Sequence, residues 1–185
     1  MRYAFRMEKL LEDIKQEFPK FKLVPKEDSL FMQLIDAVLR VITFGKMRSF
    51  MISFTTTIGC TVYFPSTWGV RPPKSKMIIL RHERVHMRQR ARYGWWYSIS
   101  YLLFPLPMLW AYCRMKYEME AYEESLRAIF EYYGLAAFTP SLKKSYVGLL
   151  TGPEYFWTWP WKGRIERWYD TTLIRIFSEQ GHLPG

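Results

Sequence analysis

The sequence predicts a mainly helical α+β fold with a small β-sheet placed before the middle helix and helical extensions at both ends. Three observations carry this expectation. Apolar residues recur at helical spacing from Phe5 to Phe18, residues 49–64 are rich in β-branched and aromatic side chains, and two long helical patterns follow. The 185 residues suit one domain: N-terminal helices over 1–45, a core over 46–134, and a Trp-rich and helical extension over 135–185.

In the first helix Met7, Leu10, Leu11, Ile14 and Phe18 share one face. KLVPKEDS then reads as a turn, after which Asp28 or Ser29 can cap a second helix carrying Leu30, Phe31, Leu34, Ile35, Val38, Leu39 and Ile42. SFMISFTTTIGCTVYF, with Gly59 inside it, reads as two short strands or one bulged strand. STWGVRPPKS is a loop. A helix is expected from Ser75 to Tyr93, with Gly94 as the residue that ends it. Pro107 suits the first turn of a long helix ending at Gly134, its core stripe being Tyr112, Met115, Met119, Tyr122, Leu126, Phe130 and Tyr133. Thr139–Pro140 opens a shorter helix that stops near Gly152, and a last amphipathic helix covers Ile165 to Phe177.

Composition bounds the function classes. With 49% hydrophobic and 24% charged residues, the chain can build a core, which excludes wholesale disorder. The net charge of +10 favours anionic partners such as nucleic acid, lipid headgroups or cell-wall polymers. Cys60 and Cys113 are too few for a disulfide framework, and the first eighteen residues contain no apolar stretch of the secretory-signal kind. A reducing, cytoplasmic compartment is the expectation. Trp95 to Cys113 is uncharged and long enough to invite a transmembrane reading, but Pro105 and Pro107 interrupt it. Two buried helical ends joined at Phe104–Pro107 explain the same letters; a peripheral membrane contact is the alternative.

The chemistry-bearing pattern is RHERVHMRQ, in which His82-Glu83-x-x-His86 falls inside a predicted helix. Spacing of i, i+4 stacks both imidazoles on one face, where they can share a metal ion, while Glu83 projects to the side. Ile78, His82, Val85, His86, Gln89 and Tyr93 form an inward stripe; Arg81, Arg84, Arg88 and Arg92 form the opposite, solvated one. Two interior histidines otherwise need buried hydrogen-bond partners. Read without a metal, they would be ordinary polar residues, with Glu83 in a surface ion pair.

A catalytic zinc site takes three protein ligands and leaves a fourth position for water. His182, the other histidine, lies in the terminal segment, so a carboxylate from YEMEAYEES is the expected third ligand. Counted at 100° per residue, Glu118 and Glu123 lie on opposite flanks of the long helix's core stripe, at roughly 80° and 60°, whereas Glu120 and Glu124 point outward. Angle slightly favours Glu123. The small neighbours Ala111, Ala121 and Ser125 favour Glu118, because they let two helices approach.

The pattern resembles the gluzincin branch of zinc metallopeptidases: HExxH followed about thirty residues later by Glu118-Met119-Glu120-Ala121, similar to that branch's E-x-x-A. The resemblance spans roughly Ser49 to Gly134. It implies a zincin-like core whose strands border the substrate cleft. It also implies Zn²⁺ held by His82, His86 and Glu118, with Glu83 as general base in peptide-bond hydrolysis. An aspartate often follows the E-x-x-A pattern to orient the first histidine; Tyr122 stands in that place here. Tyr117, Tyr122 and His182 are candidate oxyanion donors. The small HExxHxxQ form is similar to bacterial and phage proteins, which implies a bacterial cytoplasm or a virion. The implied substrates are protein, peptide or peptidoglycan.

YFWTWPWKGRIERW places Trp157, Trp159, Trp161 and Trp168 among basic residues, as an aromatic lid or an assembly surface, with membrane, sugar and base stacking as alternatives. Cys113 reads as a small buried hydrophobe rather than a ligand. The alternative function is a non-enzymatic structural or interaction protein, such as a virion or envelope component, that keeps the scaffold and a bound metal.

Overall fold

The computed structural model describes residues 2–42, 45, 50–102, 111–152 and 161–181. They are mainly helical, with one three-stranded sheet. Two compact units divide the chain, Met1–Met87 and Arg88–Gly185, and the division falls inside a single helix.

In the first unit, helix α1 (Arg2–Glu17) buries the face that its spacing predicts. Ile14 is fully buried with Phe21, Val62, Leu80 and Met87, and Met7, Leu10, Leu11 and Phe18 pack against them. KLVP is a strand rather than a turn: β1 (Lys22–Pro25) runs parallel to β3 (Thr61–Phe64), with Leu23 opposite Val62. A four-residue segment acquires strand character from a partner far along the chain, so local letters misread it. Pro25 needs no ladder donor at the end of an edge strand. β2 (Thr56–Ile58) pairs antiparallel with β3 through a tight turn at Gly59, whose φ of 64° suits a residue without a side chain. The sheet order is β1-β3-β2, so β2 is also an edge. Helix α2 (Leu30–Ile42) starts at Ser29, whose hydroxyl accepts a hydrogen bond from the Met32 amide at 3.4 Å; of the two candidate caps, Ser29 serves.

Lys26 lies in a short 3-10 turn after β1 and is buried. Its Nζ donates to the Phe50 carbonyl at 2.8 Å and sits 3.4 Å from the centre of the Phe50 ring. Burial lowers its pKa from 10.5 to about 7, partly offset by the negative charges of Glu83 and Asp36. Below pH 7 both the folded and the unfolded chain carry this proton, and the burial cost is present in full. From about pH 7 to 10.5 the unfolded chain holds a proton that the folded chain lacks, so stability rises with pH across that window. The melting-temperature difference between wild type and Lys26→Met should therefore move in favour of wild type, by several degrees, from pH 6.5 to pH 10. A pH-independent difference would contradict this account of Lys26.

Helix α3 (Pro73–Tyr93) carries proline in its first turn and ends at Gly94, with φ of 60°. The second unit adds α4 (Trp95–Leu102), α5 (Ala111–Tyr133), α6 (Pro140–Thr151) and α7 (Lys162–Glu179). Met115 and Tyr122 of α5 pack with Val147 and Leu150 of α6 and Ile165 of α7; Leu126, Tyr169 and Ile176 form a second cluster. Thr139 caps α6 by accepting from the Leu142 amide at 3.2 Å. Tyr133, expected in the core stripe, is exposed: it is the last residue of α5, where a helix has neighbours on fewer sides. The Phe104–Pro107 junction, the Pro107 helix start, Trp157, Trp159 and His182 lie outside the described residues. Among the described residues, no helix is long and apolar enough to cross a membrane.

Candidate metal centre

Helix α3 is buried on more sides than its inward stripe predicts. His82, Val85, His86 and Gln89 are buried, and so are Met77, Leu80 and Met87 on another side. Arg88 and Arg92 are exposed as expected, whereas Arg81 and Arg84 are half-buried. The Arg84 guanidinium donates to Glu17 of α1 at 2.6 Å. Tyr93, at the end of the stripe, is exposed.

The i, i+4 spacing brings the two imidazoles together. Nε2 of His82 and Nε2 of His86 are 3.1 Å apart, and the rings meet edge to face with centroids 4.8 Å apart. Glu83 does not point to solvent. It is buried in the first unit, and its Oε2 accepts a hydrogen bond from the Thr57 hydroxyl of β2 at 2.7 Å. The reason lies in the hairpin: strand alternation turns Thr57 to the opposite side from Thr56 and Ile58. The surface ion pair expected of a metal-free reading is therefore not the partner that holds this oxygen.

On α5, Gln89 fixes the register. Its side-chain amide donates to the Tyr117 carbonyl at 2.9 Å and to Glu120 Oε2 at 2.9 Å, fastening the last turns of α3 to the stretch of α5 that carries Glu118. Glu118 is 1% exposed, and its Oε1 accepts a hydrogen bond from the Tyr101 hydroxyl of α4. Tyr101 in turn packs on Tyr97, and Tyr97 on Tyr117, with ring centroids 5.5 and 5.0 Å apart.

His82, His86 and Glu118 are all buried, each offers a ligand atom, and these atoms lie within 4.8 Å of one another. Such a group could bind a metal ion. The donor set fits one: two ligands held at about 2.0–2.1 Å on neighbouring tetrahedral positions stand about 3.3 Å apart, close to the imidazole spacing seen here. Two nitrogens and one oxygen are borderline-to-hard donors of the kind zinc accepts.

The other carboxylates of α5 are engaged elsewhere or open to water. Glu123 pairs with Arg127 at 3.0 Å and with Arg175 of α7. Glu120 is exposed and takes the Gln89 amide; Glu124 is half-buried rather than outward. Cys113 is half-buried and does not belong to the group. Tyr122, standing where an orienting aspartate often stands in gluzincins, is packed in the core of the second unit with its ring against Tyr146. Tyr117 is buried too, its ring against Tyr93 and Tyr97.

Sequence reasoning missed Thr57, Tyr101 and Lys26. Thr57 is one of three adjacent threonines, and only the strand register singles it out. Tyr101 lay in an apolar run read for burial. Lys26 lay in a stretch read as a turn. No protein family model matches the chain, and neither does a curated protein or a solved structure.

Proposed function

We propose that the chain is a zinc-dependent metallopeptidase with a zincin-like core, using His82, His86 and Glu118 as ligands and Glu83 as general base. The observation that carries the reading is the burial of two imidazoles and one carboxylate within ligand distance of one another, with a non-ligand glutamate anchored on the same helix. Closed structural zinc sites use four protein ligands; three ligands with an open position is the pattern of catalytic ones. Among the described residues the group numbers three.

When bound, zinc would supply Lewis acidity, polarising a carbonyl and acidifying water. The chain's own residues divide the remaining work. Glu83 takes a proton from the attacking water onto its carboxylate and returns it to the leaving amine nitrogen. Thr57 holds Oε2 of Glu83 and so sets the plane of that carboxylate. Tyr101 holds Oε1 of Glu118, and Gln89 locks the helix register on which ligand spacing depends.

The test is metal-dependent hydrolysis. Incubated with an unfolded protein and with a peptide library, the zinc-loaded chain should release new amino termini, and prior chelation should stop this. Zinc-loaded chain that cleaves neither substrate, or cleavage indifferent to chelation, would overturn the reading.

A further inference from the structure

Helix α2 has an apolar face that the described residues leave uncovered. Met32 and Asp36 are buried, yet Leu30, Phe31, Leu34, Val38 and Val41 are 46% to 82% exposed. Phe31, Leu34, Val38 and Val41 alternate by three and four residues, the spacing of a helix seam that packs along another helix. Gln33, Asp36 and Arg40, the polar residues of α2, all fall off that seam.

We propose that this face is a homodimer interface, α2 packing on α2 of a second copy across a twofold axis. Area supports it. The five residues present on the order of 600 Å² of surface, the top of the range for the largest apolar patch on a monomer. Two copies that covered this face fully would bury about 1,200 Å² between them, the lower end of the range of specific interfaces. Shape supports it as well: an antiparallel twofold pairing sets Leu34 against Val38 and Phe31 against Val41, so that larger meets smaller at each level.

Charge separates this partner from a lipid surface. The whole chain, at +10, would be drawn to anionic lipid. Among the described residues, the patch lacks the basic rim that an interfacial helix uses. Its single basic residue, Arg40, is paired with Asp36 at 2.7 Å, and Glu27 and Asp28 are exposed at its amino-terminal end. A second copy meets no charge along the seam.

Sedimentation equilibrium on the full chain, from micromolar to hundreds of micromolar, is the test. Wild type should show a reversible monomer–dimer equilibrium. Leu34→Glu and Val41→Glu should each weaken it tenfold or more, since each buries an unpaired carboxylate against an apolar side chain of the second copy. Ile174→Glu on α7, where Ile174 is 60% exposed, should leave it unchanged. Circular dichroism confirms that each variant keeps its helix content, and the two α2 variants check one another. A wild-type chain of one-chain mass throughout would overturn the proposal, as would dimers indifferent to both α2 variants. So would a monomer that floats with phosphatidylglycerol–phosphatidylcholine vesicles and loses flotation on Leu34→Glu, which would assign the face to lipid.

Discussion

Glu83→Gln is expected to keep its zinc and its fold while hydrolysing substrate roughly 10²–10⁴-fold more slowly than wild type, the usual worth of a positioned general base. Glutamine has the same shape as glutamate, and its amide oxygen can still accept the Thr57 hydroxyl, so the contact at 2.7 Å need not be lost. What disappears is the carboxylate that accepts the proton of the attacking water. Burial sharpens the contrast, because Glu83 lies away from bulk water that could relay a proton in its place. Paired measurements are needed on each preparation: zinc by elemental analysis and cleavage rate on one peptide. Equal rates with equal zinc would remove Glu83 from the chemistry and assign the general-base role to another group.

The second large effect concerns the ligands. His82→Ala and His86→Ala should each purify without stoichiometric zinc, against about one ion per wild-type chain. Glu118→Ala should weaken zinc binding tenfold or more, because two imidazoles alone make a poor site. Tyr101→Phe, which removes the hydrogen bond to Glu118 Oε1 and leaves the ligand, should show a smaller loss in the same direction. Glu120→Ala and Glu123→Ala should bind nearly as wild type: Glu120 is exposed, and Glu123 is held by Arg127 and Arg175. Competition against a chromogenic chelator gives the affinities. Full zinc in Glu118→Ala with loss in Glu123→Ala would move the third ligand to the other flank of α5.

Part of this arrangement was legible in the letters. The α3 helix, its Gly94 end and the inward placing of His82 and His86 follow from periodicity and backbone permissiveness, both local properties. The Thr139 start of α6 follows for the same reason, while of the two readings around Gly59, two short strands or one bulged strand, the structure has the two strands. On α5, helical angle left two candidate carboxylates, Glu118 and Glu123, and slightly preferred Glu123, whereas the group that could bind a metal contains Glu118. The structure puts Glu118 beside the histidines and Glu123 with arginines. Angle describes a single helix, whereas proximity depends on which neighbour lies against it and at what register. Here Gln89 sets that register through the Tyr117 carbonyl, a contact 28 residues apart in sequence.

The letters alone give the helices to within a few residues, the Gly94 end of α3, a β-rich stretch around Gly59 and two imidazoles sharing a face, because each depends on residues within a few positions of one another. Packing settled that KLVP is a strand, that Glu83 is buried against Thr57, that Tyr101 reaches Glu118, and that the described residues leave the apolar face of α2 open. In the first three of these the role is set by a partner distant along the chain; in the last, by the lack of one among the described residues. Periodicity reports which face of an element is apolar; it carries no information about which neighbour, if any, covers that face.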